Sequence, residues 1–339
     1  MELRYGRIDE NVRKRSVLDV FLREGIDVKT GLREDSPAAV PITLCRTKAG
    51  EMAVISAANR LAGKGMQPEV FCPVLLFPPG TEEETLRVLI RQIGRTALSL
   101  DVRTAEAHAE VSDAVTRPLV TGVMSGVFYP EAAFLKEQDS KKNNSLAEST
   151  ARMERFAGME IVIAGFAGFG GTYMLACDME TCLRERFHSS LLERIMAGKE
   201  ELCCLCAART AAAAGAAQMV SLSDGGVLAG LWELSLRTGC GMDVDFRAIP
   251  LLQEIIEISE YFGIDPYCLQ SEGALLIAAK DGARIVQALA AADLFSARIG
   301  HLTKSGDRIL RNGEDLRYLD RPGADSLTAL SHAHNHKYD

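Results

Sequence analysis

The sequence predicts a two-lobed protein of the α/β (α+β) class. Apolar residues at helical spacing alternate with short, continuous apolar runs that are typical of buried strands. A polar, charge-rich stretch over residues 136–149 separates the two halves of the chain. A length of 339 residues, 47% of them hydrophobic, is enough for about two domains of ordinary size. We therefore predict domains over residues 1–155 and 156–339, with a disordered tail from about residue 322.

The first half contains three helix patterns and three strand patterns. Helices are predicted over residues 12–22 and 51–62, and a third begins at Thr81. Thr81 and Glu84 form a capping box, and the acidic first turn suits the positive end of the helix dipole. Strands are predicted over residues 70–77, 102–111 and 118–127. These elements compose the first lobe.

The second half repeats the alternation of strands and helices. Continuous apolar runs predict strands over residues 160–164, 218–222, 242–246, 274–278 and 297–300. Amphipathic or alanine-rich segments predict helices over residues 172–186, 191–215, 227–237, 251–261 and 282–291. This half is the predicted C-terminal α/β lobe.

Charge and composition exclude several classes of partner. The formal net charge is −8 and the basic residues are scattered, so no basic patch is available for nucleic acid or for an anionic membrane. No apolar segment reaches the ~20 residues that a membrane span needs. Most of the nine cysteines lie in apolar stretches, which favours reduced, buried thiols. We expect a cytoplasmic protein.

Two glycine-rich loops each follow a predicted strand and open a helix. They read Gly-Phe-Ala-Gly-Phe-Gly-Gly over residues 165–171 and Ser-Leu-Ser-Asp-Gly-Gly over residues 221–226. Backbone N–H groups at such a position can hold a phosphate, although neither loop has dinucleotide or Walker A spacing. The alternatives are close strand–helix packing for the first loop and simple helix capping for the second. The phosphate-binding candidates are Gly168, Gly170, Gly171, Thr172, Ser223, Asp224, Gly225 and Gly226.

Three other polar groupings could bind a metal. Glu34 and Asp35 form a loop pair suited to Mg²⁺, but they are equally ordinary turn residues. Alternation along a strand places His108 and Glu110 on one face, as a small metal site or as a hydrogen-bonded strand surface. The histidines of residues 332–336 could bind a transition metal, but a disordered terminus is favoured.

The order of these motifs resembles the aminoimidazole ribonucleotide synthetase superfamily, and in particular its hydrogenase expression/formation (maturation) factors. The similarity runs from about residue 16 to residue 319. It is strongest over residues 223–234, Ser-Asp-Gly-Gly-Val-Leu-Ala-Gly-Leu-Trp-Glu-Leu, and at the segment that begins Ser271-Glu272-Gly273. The resemblance implies a homodimer whose N-terminal strands form a shared barrel. It also implies ATP and Mg²⁺ as cofactors, and a maturation partner protein.

The sequence departs from the superfamily at the acids that would hold Mg²⁺. Val40, Arg60 and Ser221 stand where carboxylates are expected, whereas Asp35 is retained as a weak metal ligand. Losing hard oxygen ligands weakens Mg²⁺ binding, and a guanidinium can contact phosphate directly. The site that the resemblance implies combines the two glycine loops with Asp35, Asn59, Arg60, His108 and Glu110. No cysteine lies in residues 327–339, so the C-terminal cysteine chemistry of the hydrogenase factors is not supported.

Three functions remain open from the sequence. The first is a hydrogenase-maturation-factor-like protein that binds a nucleotide or small phosphorylated ligand at an altered ATP site. The second is a catalytically silent dimeric homologue that acts in binding or assembly. The third is an unrelated α/β enzyme that binds a small phosphorylated ligand at the glycine loops. Neither a substrate nor an acceptor is identified by the residues.

Overall fold

The computed structural model describes residues 15–16, 23, 38–42, 45–132 and 146–335. The predicted helix over residues 12–22 lies almost entirely outside these ranges, and candidate Asp35 lies outside them too. The elements of the first domain are β1 (Ala38–Ile42), α1 (Ala49–Ala62), β2 (Met66–Phe77), α2 (Glu83–Ser99), β3 (Arg103–Thr104), β4 (His108–Val111) and β5 (Leu119–Phe128).

The first domain is a five-stranded sheet with helices on one face. Its strand order is β1-β5-β2-β3, and β4 also pairs with β2. β5 is antiparallel to β1 and β2, whereas β3 and β4 run parallel to β2. α1 is buried at every position except Arg60, because its many alanines let it fit between this sheet and the second domain. α1 therefore touches both halves of the molecule.

The second domain is built on a seven-stranded sheet in the order β12-β11-β8-β10-β6-β9-β7. Its strands are β6 (Glu160–Ala164), β7 (Gln218–Ser221), β8 (Gly241–Asp245), β9 (Leu275–Ala279), β10 (Ser296–Thr303), β11 (Arg308–Asn312) and β12 (Asp315–Tyr318). Its helices are α3 (Leu146–Phe156), α4 (Phe169–Asp178), α5 (Glu180–Arg186), α6 (Ser189–Ala197), α7 (Leu205–Ala214), α8 (Gly226–Thr238), α9 (Gln253–Phe262), α10 (Gly282–Ala290) and α11 (Ser326–Asn335).

Most predicted elements of the second half are present, with three differences. The helices predicted over residues 172–186 and 191–215 are each divided, the first into α4 and α5 and the second into α6, a 3₁₀ turn and α7. Strands β11 and β12 were not predicted. Residues 326–335 form helix α11 rather than a disordered tail, because Leu327 is buried in the hydrophobic core.

Helix α3, which ends at the predicted domain boundary, packs with the second sheet. Phe156, the last residue of α3, is buried in the core of the second domain beside Met159 and Ile161. Helix α3 therefore groups with the second domain, and the boundary predicted near residue 155 lies at its carboxyl end. Among the described residues, no helix has the length and apolar character that a membrane crossing requires.

Gly273 allows the Glu272 segment to pack closely on the 3₁₀ turn Gly198–Leu202 of the same domain. Its φ is +94°, and a Cβ at this position would overlap the carbonyl oxygen of Glu201. Only glycine fits such a contact without displacing the backbone. This close packing brings the preceding residue, Glu272, against helix α1.

Candidate functional site

A buried carboxylate joins the two domains. Glu272, only 1% exposed, lies on the segment that precedes β9 in the second domain. Its Oε1 accepts a hydrogen bond from Ser56 Oγ at 2.7 Å, and its Oε2 accepts one from Asn59 Nδ2 at 2.9 Å. Both donors belong to α1, so the carboxylate fastens the second domain to the first.

Burial raises the pKa of Glu272, since a charged carboxylate loses solvation in the interior. The hydrogen bonds from Asn59 and Ser56 and the positive charge of Arg60 oppose that rise, whereas Asp224 adds to it. A raised pKa means that the contribution of this carboxyl group to stability is present at acidic pH. It declines as the pH rises through the pKa of the folded state.

Asn59 is a structural residue rather than part of an open cleft. Its Nδ2 also donates to Leu202 O at 2.8 Å, and its Oδ1 accepts from the Cys204 N–H at 2.9 Å. The side chain is 1% exposed, so its amide is fully engaged within the protein. These contacts favour a structural role, and ligand binding by Asn59 stays a prediction. The signal was in the sequence, because helical spacing places Asn59 on the apolar face of α1.

Arg60 lies at the junction, which we define as the contact of α1 with Glu272 and with the loop before α8. One of its hydrogen-bond donors has no acceptor within the described ranges. Its Nη2 lies 3.6 Å from Asp224 Oδ2, and the side chains are 25% and 41% exposed. Arg60 Nε is buried and has no hydrogen-bond partner among the described residues. A buried donor without an acceptor is unfavourable, so this atom is suited to an anionic ligand. Arg60 and Asp224 lie side by side in the structure, and their role in binding a ligand stays a prediction.

In the second glycine loop, the backbone N–H of Gly225 already has an acceptor, Asp325. This residue is not among the candidates from the sequence. The Gly225 N–H donates to Asp325 Oδ2 at 2.7 Å, and the Leu327 N–H donates to Oδ1 of the same side chain at 2.8 Å. Burial raises the pKa of Asp325 to about 7. The sequence signal was Asp-Ser-Leu at residues 325–327, an N-cap pattern at the start of α11.

The other backbone groups of this loop also bond within the chain. The Gly226 N–H donates to Ser223 O at 3.1 Å, and the Ser271 N–H donates to the same oxygen at 3.3 Å. A Cβ at Gly226 would clash with the carbonyl oxygen of Leu269. Gly225 and Gly226 thus serve capping and close packing here, which favours the capping alternative, and phosphate binding by them stays a prediction.

The first glycine loop supports the segment that carries Glu272. The Gly168 N–H donates to Ser271 Oγ at 2.8 Å, and the Gly171 N–H donates to Gln270 O at 2.7 Å. A Cβ at Gly170 would lie 2.7 Å from the Glu272 nitrogen. Thr172 Oγ1 bonds back to Gly168 O at 2.9 Å. The N–H groups of Gly168, Gly171 and Thr172 thus have acceptors within the chain, which favours the packing alternative for this loop. Phosphate binding by Gly168, Gly170, Gly171 and Thr172 stays a prediction.

His108 and Glu110 lie away from this junction within one chain. Both are exposed on β4, their side chains 3.4 Å apart, and His108 pairs with Val74 on β2. Arg60 precedes the opposite end of β2, at Met66. Eight residues of strand, about 26 Å, separate Met66 from Val74. Within one protomer, His108 and Glu110 therefore lie far from Arg60 and Asp224.

The residues at the junction do not fit a Mg²⁺ site. Asp224 is paired with Arg60, and both oxygens of Glu272 accept hydrogen bonds from α1. Within the described parts of the chain, no group of three His, Cys, Asp or Glu side chains is arranged to hold a metal. Val40 is 2% exposed and packs in the core of the first domain, so its side chain faces no ligand.

Comparisons with known proteins agree with this architecture. Residues 157–311 match the C-terminal domain of the AIR synthase related proteins. The chain is 26% identical over 245 residues to the carbamoyl dehydratase HypE of Rhodobacter capsulatus, covering 72% of this chain and 65% of that protein. It is 23% identical over 255 residues to a putative hydrogenase expression/formation protein of Methanocaldococcus jannaschii, covering 73% of this chain and 66% of that protein. Both alignments span just under two thirds of the relatives' own lengths.

Solved structures share the fold over nearly the whole chain. E. coli HypE has a TM-score of 0.66 at 18% identity, covering 97% of this chain and 94% of its own. HypE in complex with ATP has a TM-score of 0.62 at 17% identity, covering 96% and 98%. HypE in the HypE–HypF complex has a TM-score of 0.64 at 16% identity, covering 91% and 100%. The resemblance stated from the sequence and the predicted fold class are thereby confirmed.

Substitution of Asn59 tests whether the hydrogen bonds of Glu272 hold the two domains together. We expect Asn59→Ala to lower the free energy of unfolding by about 3 kcal/mol, because it leaves buried groups of Glu272 and Leu202 unpaired. Asn312 is the matched control, because its side chain is exposed and accepts one hydrogen bond from the exposed Arg247. The same substitution there should cost less than about 1 kcal/mol. Urea unfolding followed by the fluorescence of Trp232, the single tryptophan, measures both. Equal costs at the two positions would contradict the assigned role of Asn59.

Proposed function

We propose that this chain, a member of the AIR synthase superfamily, is a hydrogenase-maturation-factor-like protein that binds a nucleotide or small phosphorylated ligand at an altered ATP site. The observation that carries the proposal is the buried Nε of Arg60, which has no acceptor in the described part of the chain. Arg60 lies where α1 meets the loop before α8, at the junction of the two domains.

The chemistry of Arg60 favours a phosphate. A guanidinium is always charged and presents its donors in a planar fork that matches phosphate oxygens. Its ion-pair partner among the described residues, Asp224, is 3.6 Å away and partly exposed, so that contact is weak and can be exchanged for a ligand. The nearby Glu272 is held by Ser56 and Asn59. Similarity to HypE in complex with ATP supports a nucleotide as the source of the phosphate.

The proposed site binds phosphate through Arg60 rather than through a metal. The cation at residue 60 replaces an expected acid and repels Mg²⁺ while it attracts an anion. Since Glu272 and Asp224 are engaged within the chain, they do not supply the missing ligands. Binding of ATP should therefore depend little on Mg²⁺, and hydrolysis should be weak.

A second candidate function is that of a catalytically silent dimer, which acts as a binding or assembly protein. The face of the first sheet opposite α1 and α2, here called the open face, carries exposed valine side chains among the described residues. Val123 and Val127 on β5 are 42% and 43% exposed, and Cys72 beside Val123 is also exposed. Such a surface favours pairing with a second copy of the sheet. The HypE–HypF complex among the similar structures supports a maturation partner protein as well.

Calorimetry with ATP tests the nucleotide proposal. We expect binding in the absence of Mg²⁺, and a loss of affinity of at least tenfold for Arg60→Gln, which removes the charge and the planar donor fork. Arg87→Gln is the matched control, because Arg87 lies on the exposed surface of α2 and, within the described part of the chain, forms ion pairs with Glu83 and Glu84 of its own helix. It should leave the affinity unchanged.

Two outcomes of that titration would count against the proposal. Tight binding that strictly requires Mg²⁺ and is unaffected by Arg60→Gln would place the nucleotide elsewhere. No binding of ATP, ADP or pyrophosphate by the unaltered protein would favour the assembly function instead.

Sedimentation tests the pairing of the first sheet. If the open face joins two protomers, Val123→Lys should convert a dimer to a monomer at micromolar concentration, because it places a charge in an apolar interface. Leu98→Lys is the control, since Leu98 is 82% exposed on α2, on the other side of the sheet. A dimer that survives Val123→Lys, or a monomeric unaltered protein, would contradict this arrangement.

A further inference from the structure

Two cysteines at the start of α7 have the spacing of a reactive dithiol. Cys203 and Cys206 are separated by two residues, and helix α7 begins at Leu205. Cys206 is exposed, Cys203 is half-buried, and both are free thiols. A Cys-x-x-Cys spacing at a helix start is typical of sites of thiol–disulfide exchange. Neither cysteine belongs to the site proposed for phosphate.

The backbone at the start of α7 brings these two cysteines close together. Cys204, the N-cap, has φ −95° and ψ +10°, and Leu205 is the first helical residue. Residues three apart across such a turn have Cα atoms within about 7 Å of each other. A disulfide requires Cα atoms about 4.4–6.8 Å apart. The Leu205 N–H also donates to the Cys203 thiol, which places that sulfur at the first turn of α7.

The cysteine between them is held in the contact with α1. The Cys204 N–H donates to Asn59 Oδ1 at 2.9 Å, and its Sγ donates to Asn59 O at 3.9 Å. Cys204 is fully buried, so an external reagent does not reach its thiol. Of these three cysteines, Cys203 and Cys206 are therefore the two that can exchange with a disulfide.

A buried hydroxyl beside the thiols is without a hydrogen-bond partner. Tyr129 is 3% exposed, and its Oη is unpaired in the part of the chain that the structure describes. Cys203, Cys206 and Arg209 are among the ionisable groups that act on this hydroxyl. Arg209 follows Cys206 by about one turn of α7, on the same face. A hydroxyl donor and a cation at this place are suited to stabilise a sulfur anion.

We propose that Cys203 and Cys206 form a dithiol site that exchanges with disulfides, with Tyr129 as a hydroxyl donor to the reacting sulfur. The Cys206 thiolate attacks one sulfur of an external disulfide, R–S–S–R, forms a mixed disulfide and releases one thiolate. The Cys203 thiolate then attacks the Cys206 sulfur, closes the Cys203–Cys206 bond and releases the second. The external disulfide gains two electrons, and its two thiolates take up the protons that the cysteines lose. The site goes beyond nucleotide binding and does not depend on it.

The difference in exposure sets the order of the two steps. Burial raises the pKa of the Cys203 thiol, and the Leu205 N–H opposes that rise. A half-buried thiol meets an external disulfide less often than the exposed Cys206 does. Once Cys206 carries a mixed disulfide, the sulfur to be attacked is held next to Cys203, which makes the second step intramolecular.

Glutathione disulfide, added to the reduced, full-length protein, tests the site. Trypsin cuts after Lys199 and Arg209 and releases Cys203, Cys204 and Cys206 in one peptide. After exchange and alkylation of the remaining thiols, this peptide should lack two hydrogens and carry one alkyl group instead of three. Cys203→Ser should stop the reaction at a mixed disulfide on Cys206.

Cys72→Ser is the matched control, because Cys72 is an exposed thiol on β2 of the first domain. It should leave the oxidation of the peptide unchanged. Tyr129→Phe removes a hydroxyl that is unpaired among the described residues, so it should leave the free energy of unfolding unchanged. It should nevertheless slow closure of the disulfide at least threefold.

Three results would overturn the proposal. The first is three alkyl groups on this peptide of the unaltered protein after exchange. The second is a disulfide that still closes within the peptide of Cys203→Ser. The third is an unchanged rate of closure in Tyr129→Phe. Each of these measurements is made without nucleotide, so none of them bears on ATP binding.

Discussion

The buried Glu272 carboxylate is the interaction on which the arrangement of the two domains depends. A carboxylate with almost no solvent contact is costly unless polar groups satisfy it, and Ser56 and Asn59 supply them. Because both donors are on α1, the helix can take only one rotation and one axial position against the second domain. That placement also brings Arg60, the next residue of α1 after Asn59, to Asp224.

The glycines around Glu272 leave the space that its burial requires. Gly170 and Gly273 allow backbone segments to approach Glu272 from two sides. The Gly168 and Gly171 N–H groups hold Ser271 and Gln270, which precede it in the chain. A loop that resembles a phosphate-binding element in sequence is thus used here to support a domain contact.

The sequence predicts local features of this fold better than its long-range contacts. Helix α2 and the apolar strands β6 and β9 follow from hydrophobic pattern. The predicted capping box of Thr81 and Glu84 is wrong, because the N-cap is Glu82 without a side-chain hydrogen bond and Thr81 Oγ1 donates to Pro78 O. β11 and β12 were missed because their residues are largely polar and exposed. The bond between Asn59 and Glu272 joins residues 213 positions apart, and the bond between Gly225 and Asp325 spans 100 positions. No local pattern specifies such pairings, although the superfamily resemblance placed Asn59, Arg60 and Asp224 in one region.

The central claim is that a cation at residue 60, held by the Glu272 junction, replaces the metal as the binding group for phosphate. A crystal structure of the full chain with ADP, grown without divalent ions, tests this most directly. We expect a phosphate oxygen within hydrogen-bond distance of Arg60 Nε, with the contacts of Glu272 to Ser56 and Asn59 unchanged. ADP bound elsewhere, with Arg60 still paired to Asp224 and its Nε without an acceptor, would contradict the account.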